Sequence, residues 1–312
     1  MRARTLILAA CVLLLLAVPP LAMLLGQSYY IDLVRRVMIF AIAAVSLNLI
    51  LGYGGLVSFG HAAYLGVGGY SVGILAFYGM HSGWLQWTVA ILASALVALV
   101  IGAISVRTRG IYFIMITLAF TQMLYYLGIS VEEYGGDDGM RLKVKSQFSG
   151  LIDLNDPVAS YYLALALLLG AIYLVNRLVN SRFGMVLRAA KSNEARSRAI
   201  GFSPYPYHLA AFVISGALCG LAGALLANHT AYITPAFMDW TRSGEIMFMV
   251  ILGGMATAPG PALGAFALLV VEDLLAGLTQ HWQVILGPLL VLCVLFFRRG
   301  LAGLLPGGGK HG

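Results

Sequence analysis

The residues of this 312-residue chain that could do chemistry are polar side chains lying inside long apolar stretches. They are a serine and a histidine beside a glycine-rich run, an adjacent threonine and glutamine, and one glutamate: Ser58, His61, Thr121, Gln122 and Glu272. Hydroxyl, imidazole, amide and carboxylate groups exchange protons and bind polar solutes. In hydrocarbon such groups are costly, and they usually face a cavity or a neighbouring segment. The sequence therefore predicts that these residues line a solute pathway or hold packed segments together.

Both roles stay open for the neutral members of this set. His61 follows the glycine-rich run, so its imidazole is expected to bond carbonyl groups freed by a helix break, with contact to a passing solute as the alternative. The same two roles are open to Ser58. Thr121 and Gln122 lie in the middle of an apolar segment, where an interhelical hydrogen bond typically contributes about 0.6 kcal/mol. Holding helices together is the favoured role for that pair.

Glu272 needs a partner, because a carboxylate in hydrocarbon must pair with a cation or take up a proton. Its neighbour Asp273 points another way on a helix, so the two are not a catalytic carboxylate pair. Arg242 and the adjacent Arg35 and Arg36 are the candidate cations. Arg35 and Arg36 fall near the outer end of an apolar segment, where they are expected to snorkel or pair.

Signatures of enzymes and metal sites are absent from the sequence. There is no G-x-x-x-x-G-K-[ST] run to cradle nucleotide phosphates and no H-E-x-x-H zinc motif. The cysteines lie in apolar runs without metal-ligand spacing; they are Cys11, Cys219 and Cys293. The sequence therefore predicts no catalytic residue, cofactor site or metal site in this chain.

The composition indicates a membrane protein. Hydrophobic residues make up 61% of the chain and charged residues 10%, against about 25% charged in soluble domains. The predicted fold is all-α, a single polytopic transmembrane bundle over residues 1–312 with about 8–10 spans of about 20 apolar residues each. The apolar segments cover residues 5–25, 31–51, 56–79, 84–106, 111–130, 158–178, 208–228, 244–258, 262–279 and 282–297.

The positions of lysine and arginine predict the orientation. Basic residues collect near residues 2–4, 107–109, 177–198 and 298–310, and ten crossings place all four groups on one side, which the positive-inside rule makes cytoplasmic. Both termini are then cytoplasmic, and the polar stretch 131–157 is a periplasmic loop. The first segment is predicted to be a retained span, since it is long for a signal peptide and lacks a small-residue cleavage site. The net charge of +7 follows from these loops and does not indicate nucleic-acid binding.

Glycines are dense between Gly52 and Gly60. Irregular backbone at membrane depth is tolerated only where protein or a water-filled cavity covers it, so this run predicts a broken or re-entrant element. Elsewhere, glycines four residues apart predict close helix packing. Those pairs are Gly69 with Gly73, Gly216 with Gly220, and Gly260 with Gly264.

The polar stretch from Ser181 to Gly201 is too polar to span and predicts a short helix over about Asn193 to Ile200. Ser192 or Asn193 can cap its start, and Glu194 suits the positive end of the dipole. Gly201 can close the helix in the left-handed conformation. The prolines at 204 and 206 then end any continuation.

This stretch, with its Glu-Ala pair and following glycine, resembles the coupling loop of ABC import permeases. Residues 52–64 resemble the signature of the branched-chain amino acid permeases, and within them the LivM type. Further resemblances are at residues 135–139, 209–216, 253–255 and 259–265. The coupling loop, residues 179–207, departs from the family pattern at two points. Arg196 stands where a second alanine is usual, and Gly201 comes one position later.

The resemblance implies a function and partners. The permease is one half of a pathway for branched-chain or related amino acids in the bacterial inner membrane, beside a homologous LivH-type permease. Two cytoplasmic ATPase subunits carry ATP and Mg, and a periplasmic binding protein supplies the solute. Residues implied to couple to the ATPase are Arg188, Asn193, Glu194, Ala195, Ala199 and Gly201. The alternatives are an importer of urea or short amides and, from another class, an ion-coupled secondary transporter.

Overall fold

The computed structural model describes residues 2–24, 26–150, 153–279, 281–296 and 300–304. This part of the chain is all-α apart from a pair of two-residue strands, β1 (Met140–Arg141) and β2 (Tyr232–Ile233). The helices, in chain order, are α1 (Arg2–Leu24), α2 (Tyr29–Asn48), α3 (His61–Phe77), α4 (Gly83–Ser105), α5 (Ile111–Ser130), α6 (Pro157–Val179), α7 (Arg182–Ser192), α8 (Glu194–Ala199), α9 (Pro204–Thr230), α10 (Trp240–Gly253), α11 (Gly260–Leu278) and α12 (Trp282–Phe296). The predicted all-α fold is confirmed.

Each of the ten apolar segments contains one helix, but the helices differ in length. Within the described residues, six helices are long and apolar enough to cross a membrane: α2 with the turn that follows it, α4, α5, α6, α9 and α11. Helix α10 has 14 residues and is about 21 Å long, short of the roughly 30 Å of a hydrocarbon core. Helix α3, with 17 residues, is about 26 Å long. Helix α12 is also short, with 15 residues. Of these three helices, α3 follows a break in the chain and α10 precedes one.

Helix α2 is the centre of the bundle, because every residue from 37 to 54 is buried. A helix that is apolar all round is stable only when neighbours surround it, and α2 is packed against α6, α9, α10 and α11. Helix α9 in turn packs against α3 and α4. Both helices thus hold the elements that carry the candidate site.

The three glycine pairs lie at the predicted close contacts. A Cβ atom added to Gly216 would lie 2.4 Å from the Ala98 side chain of α4, and one added to Gly220 would lie 2.1 Å from the Ser94 hydroxyl. A Cβ atom added to Gly264 would likewise lie 1.9 Å from the Met249 carbonyl oxygen, so α11 packs closely against α10. A Cβ atom added to Gly69 itself would make only an ordinary contact, 3.6 Å from the Gly223 carbonyl oxygen of α9. One added to Gly223 would lie 3.1 Å from the Gly69 amide nitrogen, and one added to Gly73 would lie 2.5 Å from the Ile233 side chain, so this pair is closely packed as well.

The glycine-rich run does break the helix, as predicted. After α2 the chain forms one π-helical turn, Leu49–Tyr53, and regular helix resumes only at His61. A π turn inserts an extra residue into the helical ladder and is often found at functional sites. Gly55 then takes a φ of +74°, a conformation that side chains rarely adopt. Residues 49–60, the π turn and the stretch that follows it, are here called the first break. A second break, residues 254–259, separates α10 from α11.

Candidate functional site

Side chains of α5 form hydrogen bonds with the backbone of the first break. The Thr117 hydroxyl accepts a hydrogen bond of 3.3 Å from the Phe59 amide, and the Thr121 hydroxyl donates to the Phe59 carbonyl oxygen at 3.1 Å. The Ser58 hydroxyl accepts from the Gly60 amide at 3.0 Å. Backbone groups released from the helix are thereby satisfied inside the bundle. Ser58 and Thr121, both predicted site residues, therefore contact the break itself.

His61 is fully buried and bonds differently from the expectation. Its Nε2 atom lies 2.7 Å from the Ser215 hydroxyl, and that hydroxyl donates to the Ser46 carbonyl oxygen at 2.5 Å. Because the serine proton is used on Ser46, the imidazole must be the donor to Ser215. The prediction that His61 bonds freed carbonyl groups is thus wrong. The Ser215 hydroxyl instead bonds a carbonyl oxygen within α2, that of Ser46, and His61 positions Ser215.

Asn48, which directly precedes the first break, connects it to the second break. Its side-chain amide donates to the Thr257 carbonyl oxygen at 2.9 Å, and its side-chain oxygen accepts from the Ala256 amide at 3.0 Å. A Cβ atom on Gly52 would lie 2.0 Å from that oxygen, so only glycine fits beneath it. The bidentate contact ties the end of α2 to the connection between α10 and α11.

The predicted short helix in the polar loop is confirmed as α8. The Asn193 side chain accepts a hydrogen bond of 2.9 Å from the Arg196 amide and caps the helix start. Gly201 closes the end with a φ of +90°, and its amide donates to the Arg198 carbonyl oxygen at 2.9 Å. Ala195 and Ala199 are exposed on this helix.

Helix α7, which precedes α8, was not predicted. It buries Val186, Leu187 and Ala190 on one face and exposes polar residues on the other, an amphipathic pattern that the sequence contained. Arg188 is exposed, and its guanidinium donates to the Gly184 carbonyl oxygen of its own helix at 3.4 Å. Helices α7 and α8 together are here called the polar loop helices.

Two contacts fasten the polar loop helices to the bundle. Glu194 pairs with Arg198 of its own helix at 2.7 Å and with Arg109, in the connection between α4 and α5, at 2.5 Å. Lys191 of α7 reaches the first break, where its ammonium nitrogen donates to the Gly52 carbonyl oxygen at 2.6 Å. Burial of that ammonium lowers the pKa of Lys191 from its ordinary value. Sequence reasoning missed both distant contacts, since neither follows from local spacing.

The charged candidates pair at the other end of α2. Glu272 of α11 lies 3.5 Å from Arg36, which confirms one of the expected pairings. Arg35 pairs with Asp32 at 2.5 Å, and its Nε atom donates to the His229 ring at 2.9 Å. Gln122 is half-buried on α5. Unlike Thr121, it has no hydrogen-bond partner in the part of the chain that the structure describes.

These features define a class of protein: a multi-pass α-helical membrane protein with two polar-stabilised helix breaks and a polar loop fastened to one of them. Residues 29–295 match the family described as branched-chain amino acid transport system, permease component. The chain therefore belongs to the branched-chain amino acid transport system permease family.

Individual relatives agree with this assignment. The chain is 29% identical to the high-affinity branched-chain amino acid transport system permease protein LivM of Escherichia coli, covering 87% of this chain and 69% of the relative. It is 28% identical to LivM of Salmonella typhimurium over the same shares. It is 22% identical to the LivH permease of Escherichia coli, covering 85% of this chain and 91% of the relative. No solved structure gives a significant match.

Proposed function

We propose that this chain is the LivM-type permease subunit of an ABC importer and forms half of the pathway for branched-chain or related amino acids. The observation that carries the proposal is the attachment of the polar loop helices to the first break through Lys191 and Gly52. The family and the LivM relatives support it. A loop so attached can transmit movement into the bundle.

The polar loop helices are the proposed docking element for a cytoplasmic ATPase. Helix α8 presents exposed Ala195 and Ala199, while Glu194 anchors its start to Arg109. A push on α8 would therefore reach the α4–α5 connection through one contact and the first break through Lys191. The break resists movement less than continuous helix, because its backbone is held by side-chain hydrogen bonds in place of a helical ladder. Tilting there would open the pathway alternately to each side.

The proposed assembly contains four kinds of subunit, distributed over the cytoplasm, the inner membrane and the periplasm. A LivH-type permease supplies the other half of the pathway, and two ATPase subunits bind ATP and Mg and hydrolyse the nucleotide. A periplasmic binding protein delivers the amino acid. Both termini and the polar loop helices lie on the cytoplasmic side, and residues 131–157 lie in the periplasm. The residues proposed to couple the permease to the ATPase are Arg188, Asn193, Glu194, Ala195, Ala199 and Gly201.

Uptake of radiolabelled leucine into vesicles that hold this chain with its genomic neighbours tests the proposal. Leucine uptake that requires internal ATP and the binding protein is the expected result. Urea and an aromatic amino acid serve as comparators, and preferential uptake of urea would favour the urea and amide importers. Uptake driven by an ion gradient without ATP would overturn the proposal in favour of a secondary transporter.

A further inference from the structure

Helix α10 carries a half-exposed ion pair on its first turns. The Arg242 guanidinium lies 2.7 Å from the Glu245 carboxylate, and the two side chains are 35% and 40% exposed. Thr241 and Phe248 are exposed on the same side of the helix, four residues before and three residues after Glu245. One face of α10 thus presents a cation, an anion and an aromatic ring to whatever surrounds it.

This pair lies at mid-depth in the bundle. Ser243, between its members, accepts a hydrogen bond of 2.9 Å from the amide of Ala62 in the first turn of α3. The adjacent His61 bonds Ser215. Ser215 is eleven residues from the start of α9 and fifteen from its end, or about 17 Å and 23 Å. The first turns of α3 and α10 therefore meet deep within the membrane-spanning region.

A half-exposed ion pair at this depth cannot face lipid without a large cost. Charged side chains within membrane-spanning segments almost always face the bundle interior or a water-filled cavity. Nearby, Glu272 of α11 experiences the charges of both Arg242 and Glu245 as well as that of Arg36. The charged face therefore continues from α10 across α11 to α2. It is the side of the bundle most suited to face water.

We propose that Arg242 and Glu245 form a transit site for zwitterionic α-amino acids on the wall of the pathway. The planar guanidinium can bind the carboxylate of the solute through two parallel hydrogen bonds, and the Glu245 carboxylate can accept from its ammonium group. Between passages the two side chains neutralise each other. Phe248, one turn further along, offers apolar surface to the side chain of the solute. This inference rests on the proposed function, since it names the solute class and its site.

Thiol accessibility tests whether water reaches this face of α10, and the test requires no transport activity. The three native cysteines, Cys11, Cys219 and Cys293, are first replaced by serine. A single cysteine is then introduced by Thr241→Cys or Phe248→Cys. The assembled complex is treated in permeabilised vesicles with a membrane-impermeant cationic thiosulfonate. Leu96→Cys on α4 is the matched control, because Leu96 is 62% exposed on a spanning helix. We expect reaction at positions 241 and 248, slowed by saturating leucine, and none at 96. Failure of both α10 positions to react would overturn the proposal.

Charge variants then separate a transit site from a structural ion pair. Arg242→Gln and Glu245→Gln should each lower leucine uptake at least about tenfold, the loss of one charge-assisted contact. The double variant carries no unpaired charge, so a structural pair predicts that it recovers uptake. A transit site predicts that the double variant assembles normally and that uptake stays low. Recovery in the double variant would overturn the proposal, whereas absence of leucine uptake by the unaltered complex would instead refute the proposed function.

Discussion

The ammonium nitrogen of Lys191 donates a hydrogen bond of 2.6 Å to the carbonyl oxygen of Gly52, across 139 residues of sequence. Gly52 belongs to the π-helical turn that ends α2, and Lys191 lies one residue before the end of α7. The negative end of a helix dipole and its unpaired carbonyl groups favour a cation at this position. The contact joins the polar loop helices to the first break.

Removing this cation should uncouple transport from ATP hydrolysis. Lys191→Met keeps the length of the side chain but loses the donor, so we expect leucine uptake to fall at least about tenfold while ATPase activity of the complex persists. Lys191→Arg, which can still donate, should restore most of the uptake. Arg182→Met removes a charge from an exposed position of the same helix and should leave uptake unchanged. Equal uptake by Lys191→Met and the unaltered protein would contradict this role.

Reversing the charge of Glu194 should detach α8 from the bundle. Glu194→Lys loses the pairs with Arg109 and Arg198 and places three cations together, so uptake should be abolished with membrane insertion intact. Combining it with Arg109→Glu re-forms an opposite-charge pair across the same contact and should return part of the activity. The measurement is uptake normalised to the amount of assembled complex. Normal uptake by Glu194→Lys alone would refute the role of this pair.

Proline at position 201 should disrupt the end of α8. The ring fixes φ near −65°, which is incompatible with the observed +90°, and it removes the amide that donates to Arg198. We expect Gly201→Pro to lose coupled uptake. Gly150→Pro is the matched control, because Gly150 also has a positive φ, +77°, but lies in the loop between α5 and α6. Normal uptake by Gly201→Pro would contradict a role for the end of α8. Loss of uptake in both variants would show that the effect is not specific to α8.

Removing the hydrogen bonds of the Asn48 side chain to the second break should destabilise the fold. Asn48→Leu leaves the Ala256 amide and the Thr257 carbonyl without their partner, and an unsatisfied buried group costs about 1–3 kcal/mol. The melting temperature in detergent, followed by tryptophan fluorescence, should therefore fall. Asn176→Leu, at an exposed position of α6, should melt close to the unaltered protein. Identical melting temperatures for Asn48→Leu and the unaltered protein would contradict the assignment.

Features governed by local sequence could be predicted. The apolar segments gave helices because length and hydropathy alone select them. Helix α8 could be placed because its cap at Asn193 and its terminator at Gly201 are local signals. The first break followed from its glycines. In each case the interactions that decide the structure lie within a few residues of one another.

Contacts between distant parts of the chain could not be predicted. His61 was assigned to nearby carbonyl groups, yet its partner Ser215 lies 154 residues away on α9. Spacing along the chain does not determine which residues of separate helices meet, because helix packing sets that. The same holds for Lys191 and Gly52. The pairing of Glu272 with Arg36 was among the expected ones because buried or half-buried charges have few partners to choose from.

We propose that α8 is the surface on which a partner ATPase acts. A photo-crosslinking amino acid placed at Ala195, which is exposed on α8, tests this role in the assembled complex. We expect a crosslinked product that contains the ATPase subunit, identified by mass spectrometry, and no such product from the same amino acid at Glu132 in the opposite loop. Absence of an ATPase adduct at position 195, or its appearance at position 132, would contradict docking on α8.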